Sequence, residues 1–141
     1  MYGHRIRVRG VFDTVVERTK ETLLAHKFGI LGDMNLAAAL RYRLGVDQPS
    51  YRILGACWPQ VAHKAIQRDP DMGLLLPCNV VVRQEDEQHC VIAFVAPEAV
   101  LGIADLPELA DDARLVEEKL AEVRQALLEA LNGESIGQAG R

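Results

Sequence analysis

An α+β fold, a single antiparallel sheet of about four to five strands with helices packed on one face, is predicted by three observations on this chain. Residues 5–12, 51–56, 74–83 and 90–96 each read as strands, by alternation or by a short apolar run between turn signals. Two further stretches, one near the start and one at the end, repeat apolar residues at helical spacing and supply the seams that would cover one sheet face. No repeat, low-complexity segment or linker interrupts the 141 residues, a length at which one compact domain buries roughly two thirds of its unfolded surface. We expect one domain over residues 1–132 and a flexible tail over 133–141, beyond the last apolar seam.

The elements follow in order. In the first strand Arg5, Arg7 and Arg9 alternate with Ile6 and Val8, so the arginines line a solvated face. Asp13-Thr14 with Glu17 forms a capping box and starts a helix whose inward positions are Val16, Leu23 and Leu24, closed by Phe28-Gly29. Ile30 and Leu31 allow only a short strand before Gly32. Asn35 caps a second helix with Leu36, Leu40 and Leu44 on one side, and Gly45 stops it. After the strand at 51–56, Pro59 suits the first turn of a third helix with Ala62, Ala65 and Ile66 inward, ending at Asp69-Pro70-Asp71. The strands at 74–83 and 90–96 are joined by a solvated loop around Glu85-Asp86-Glu87. Asp105, Pro107 and Glu108 open a long last helix with its seam at Val116, Leu120, Val123, Leu127 and Leu131.

Composition narrows the function classes. An aromatic share of 5% means an aliphatic core, and a net charge of −4 argues against nucleic acid, whose phosphates need clustered Lys and Arg. No apolar run reaches the ~20 residues of a membrane span, and the N-terminus lacks a signal-peptide core, so a cytoplasmic protein without a membrane partner is expected. Its three cysteines are then reduced thiols in the resting state.

Two of those thiols carry the candidate site. Cys57 closes an apolar strand in Ala56-Cys57-Trp58-Pro59 and Cys78 opens another in Leu76-Pro77-Cys78-Asn79, each beside a proline that restrains the backbone. At a helix N-terminus, the position expected for Cys57, a thiol can have a lowered pKa. Cys78 comes near it if the two segments pair. Packing is the competing reading, because free cysteines are among the most buried residues. Cys90 shares a face with Ile92, Phe94 and Ala96 and reads as core. His63 falls on the polar side of its helix with Gln60, Lys64 and Gln67, yet it is the one base near Cys57. Trp58 either shields a pocket with ~150–250 Å² of ring surface or fills the core edge. Asn79 either bonds the Pro77 turn or meets a ligand. There is no Cys-x-x-Cys, no histidine pair at i, i+4 and no glycine-rich phosphate loop, so no metal and no cofactor is expected, and no catalytic constellation is complete.

The spans Phe12-Asp13-Thr14-Val15 with Phe28-Gly29-Ile30-Leu31, Tyr51-Arg52-Ile53-Leu54-Gly55-Ala56-Cys57, and Gly73-Leu74-Leu75-Leu76-Pro77-Cys78-Asn79-Val80-Val81-Val82 resemble the bacterial and archaeal family called domain of unknown function 302. The resemblance runs over roughly the whole chain and implies a TATA-binding-protein-like α+β fold and a homodimer, with no established activity. The family pattern reads Cys-Asn-Pro where this chain has Cys57-Trp58-Pro59. Exposed edges or faces of the strands within 74–82 and 91–95 are the expected means of self-association. Three functions stay open: a homodimeric module that binds or senses a small molecule near Cys57 and Cys78, a thiol-dependent redox, sulfur-carrier or soft-metal protein, and a structural subunit.

Overall fold

The computed structural model describes residues 1–140. Among these residues six strands form one antiparallel sheet, with five α-helices. In chain order the elements are β1 (Gly3–Arg9), α1 (Phe12–Ala25), β2 (Gly29–Asn35), α2 (Leu36–Leu44), β3 (Tyr51–Cys57), α3 (Pro59–Arg68), β4 (Cys78–Gln84), β5 (His89–Val95), α4 (Pro97–Ala104), α5 (Ala110–Ala130) and β6 (Glu134–Ala139). The strands lie in the order β2-β3-β4-β5-β1-β6, every neighbour antiparallel.

The period-two pattern does what it implied. Ile6 faces Ile92 across β1 and β5, Val8 faces Cys90, Val82 faces Ile92 across β4 and β5, and Leu54 faces Val80 across β3 and β4. All seven of these side chains are buried, in one core with Val15, Val16 and Leu23 of α1 and Val116, Leu120, Val123 and Leu127 of α5. Burying side chains of this size stabilises the fold by roughly 1.5–3 kcal/mol each before entropy is counted. Arg5, Arg7 and Arg9 lie on the face opposite to α1 and α5, where Arg7 is held between Glu85 at 2.5 Å and Glu134 at 2.8 Å.

Several elements differ from expectation, each for a local reason. Residues 134–139, within the expected flexible tail, pair with β1 as β6, from Gly3 opposite Ala139 to Arg7 opposite Glu134. Strand β2 is seven residues long rather than two, because an irregularity between Ile30 and Gly32 resets its register on β3 and lets pairing continue to Asn35. Helix α1 starts at Phe12 on Val11 with no side-chain cap, so the capping box does not form; Asp13 instead sits in the first turn, where the helix dipole favours it. The left-handed residue that ends α1 is Lys27 (φ 71°), not Gly29. Asn35 caps α2 as read, its side chain accepting from the Ala38 N–H at 2.9 Å, but no α2 residue is buried. Residues 74–77 precede β4 instead of belonging to it. Asp105 adopts a left-handed conformation that closes α4, an unforeseen helix started by Pro97, so the last helix begins only at Ala110. Finally, β4 and β5 are central strands, which removes them as edges for self-association; the free edges are β2 and β6.

No helix among the described residues is long and apolar enough to cross a membrane.

Candidate functional site

Strand β3 ends at Cys57, Trp58 precedes Pro59 at the first turn of α3, and β4 begins at Cys78 after the cis Leu76–Pro77 peptide. Cys78 stands directly opposite Ala56, so Cys57 is its diagonal neighbour across the ladder. Both thiols line one cavity of about 260 Å³, roughly nine water volumes at ~30 Å³ each. Its remaining wall is apolar, chiefly Leu31, Trp58, Val61, Ile66, Leu76 and Val116. Trp58 is fixed from two sides: its ring meets Phe28 edge-on with centroids 5.2 Å apart, and its indole N–H donates to Gln60 Oε1 at 3.2 Å. It therefore both fills the core edge and forms cavity wall.

The electrostatics run against the lowered thiol pKa expected at a helix N-terminus. Burial pushes the Cys57 thiol up, and no opposing charge brings it down. Burial pushes Cys78 up to about 11, with smaller contributions from Cys57 and from the Glu117 carboxylate. Both thiols are thus neutral near pH 7, a chemistry suited to apolar or soft ligands and poor for a thiolate nucleophile. All three cysteines are free.

The five sequence candidates separate. Cys57, Trp58 and Cys78 come together at the cavity. Asn79, next to Cys78 in the chain, is exposed in a different hollow on the sheet face opposite to α1 and α5. His63 is exposed on α3 with Lys64 and Gln67 and takes no part in the cavity wall. Cys90 lies in the core, fully buried, at the other end of the sheet. Sequence reasoning missed Leu31, Leu76 and Val116, aliphatic residues from three distant segments with no local signal beyond their hydrophobicity.

It also missed two polar clusters on the covered side. Asp33 on β2 accepts hydrogen bonds from Arg52 Nε at 2.7 Å and Nη2, and lies 2.5 Å from Lys20 Nζ on α1. The Arg52 bonds, followed by Lys20, hold the Asp33 carboxyl down at about 2, and both cations are pushed up in turn. On α5, Glu117 pairs with Arg124 at 2.8 Å and with His4 at 3.4 Å, while Arg124 lies over the Phe94 ring at 5.7 Å. Among the described residues, no three His, Cys, Asp or Glu side chains are arranged to hold a metal ion.

Comparison with known proteins places this architecture. No curated protein matches the chain. The crystal structure of an uncharacterized conserved protein DUF302 from Bacillus stearothermophilus is 27% identical, covers 90% of this chain and 98% of its own, and superposes with a TM-score of 0.80. The model of the family described as domain of unknown function DUF302 matches residues 4–127, from β1 into the last turns of α5 and without β6, and the chain belongs to that family.

Proposed function

We propose that this chain is a small-molecule binding or sensing module, working in the cytoplasm as a homodimer, whose ligand enters the cavity beside Cys57, Trp58 and Cys78. One observation carries the reading: a well-packed domain keeps a 260 Å³ apolar hollow where two strands end, and three of the five sequence candidates line it. Close-packed interiors leave few voids larger than a water, and an apolar hollow of this kind favours an apolar guest. The homodimer rests on the resemblance, with β2 and β6 the free edges.

Trp58 is the only tryptophan and reports on the cavity directly. Butylbenzene, with about ten non-hydrogen atoms, is expected to change Trp58 emission saturably, and Ala62→Phe, which projects a ring from the cavity wall, to abolish the change while the protein stays folded. Unsaturable or absent binding, or binding indifferent to Ala62→Phe, contradicts the reading. A monomer mass in light scattering at micromolar concentration contradicts the dimer.

A thiol-dependent role is the second reading, favoured by the placement of both thiols on one cavity. Its mark is a Cys57–Cys78 disulfide, a loss of two hydrogens by intact mass, formed rapidly with diamide as oxidant. The raised thiol pKa values favour the binding module.

A further inference from the structure

The thiol cavity has a neighbour. On the sheet face opposite to α1 and α5, β2 and β3 border a second hollow of about 470 Å³, and Leu31 and Pro77 belong to the walls of both. The floor of this outer hollow is a row across three strands, with Gly32 opposite Gly55 and Gly55 opposite Asn79. A Cβ on Gly55 would lie 2.7 Å from Pro77 Cγ, so the bare backbone lets the proline ring rest on β3. A Cβ on Gly32 would meet nothing within 4 Å, so the trough is open there. At its far end stands the exposed amide of Asn79, a group that both donates and accepts. The partition between the hollows is thus one proline ring and the side chain of Leu31, which is 69% exposed and sits at the register break of a free-edge strand.

We propose that the two hollows form one bipartite site for a neutral amphipathic molecule. The inference rests on the small-molecule reading of the thiol cavity and adds a polar subsite to it. The apolar body lies beside Cys57, Trp58 and Cys78, and an uncharged hydrogen-bonding end, such as a primary amide or a hydroxyl, passes Leu31 and lies over Gly32 and Gly55 to meet Asn79. Charge chemistry sets the class. The thiol cavity offers no counter-ion, and the carboxylate of Asp33, the one ionised residue bordering the outer hollow, is turned to the covered face and matched there by Arg52 and Lys20. Neither hollow offers a free charge, so an ionised ligand would lose hydration without gaining a partner.

The test compares butylbenzene with 5-phenylpentanamide, the same apolar body carrying a terminal primary amide, by titration of Trp58 emission. The amide is expected to bind about tenfold more tightly, the gain of one or two net hydrogen bonds. Asn79→Ala removes the partner and Gly32→Val fills the trough at a position with free space; each should bring the amide down to the affinity of butylbenzene and leave butylbenzene unchanged. Equal affinities in the unaltered protein, or an advantage that survives both variants, would overturn the polar subsite while leaving the apolar cavity in place. Failure of butylbenzene itself to bind would overturn the cavity reading and this inference with it.

Discussion

Cys78 and Cys90 lie on the same covered face of the same sheet, at opposite ends of β4 and the strands beside it: Cys78 opposite Ala56, Cys90 opposite Gln84 and Val8. Burial pushes both thiols up to about 11, so their protonation does not distinguish them. Space does. Cys90 is fully buried among core side chains, its Sγ donating a long hydrogen bond of 3.8 Å to the Gly10 carbonyl. Cys78 is half-buried and faces a cavity that also holds Cys57. The same residue type in the same protonation state is core at one end and cavity wall at the other, and the difference is whether α1 and α5 cover the strands or the strands run out beneath α3.

The largest expected consequence is in stability. Cys90→Ser places a hydroxyl where water cannot follow, and we predict a loss of roughly 1–3 kcal/mol in urea unfolding. Cys78→Ser leaves its hydroxyl at a hollow large enough for water and should lose under about 1 kcal/mol. Equal losses at the two positions would break the comparison.

The Asp33 cluster sharpens it, because it fastens the edge strand that carries Leu31 and leaves the Cys90 end alone. Asp33→Asn should cost about 1–2 kcal/mol, since the side chains involved are only about a fifth exposed. Its folded pKa lies below the ordinary carboxylate value, so its stabilisation is full above about pH 4 and is lost as pH falls through about 2. The Asn variant should accordingly lose the part of the acid-side decline that this carboxylate causes, measured as unfolding free energy between pH 5 and 2. An unchanged acid limb would show that the cluster does not hold β2.

Sequence reasoning reached much of this arrangement, for identifiable reasons. Strands β1, β3 and β5 were readable because Ile6 and Val8, or Cys90, Ile92 and Phe94, recur at period two with a covered face. Strand β6 was not, since Ile136 and Ala139 are only partly buried and its place depends on main-chain pairing with β1, more than 120 residues earlier. Cys57, Trp58 and Cys78 were found through their prolines. Asn79 was grouped with them by adjacency, yet the pleat sends neighbours to opposite faces. His63 was tied to Cys57 by a separation of six residues, and the helix turns it toward solvent.

Alkylation gives the smallest effect. With both cavity thiols neutral at pH 7, iodoacetamide should react slowly with all three cysteines, in the order Cys57, Cys78, Cys90, following exposure. The rates should climb with pH up to the raised folded values, about 11 for Cys78 and Cys90; the same values mean that stability is intact below about pH 9, where unfolded thiols begin to ionise, and falls as pH climbs through about 11. Rapid modification of Cys57 at pH 7 would favour the thiol reading.

The most direct test of the central claim is a methyl NMR titration with butylbenzene. A guest in the thiol cavity should shift the Leu31, Val61, Ile66, Leu76 and Val116 methyls saturably and together, and leave Val8, Val82 and Ile92 around Cys90 unmoved. Shifts that fail to saturate, or that appear equally at both ends of the sheet, would contradict the assignment of a binding site to the Cys57–Cys78 end.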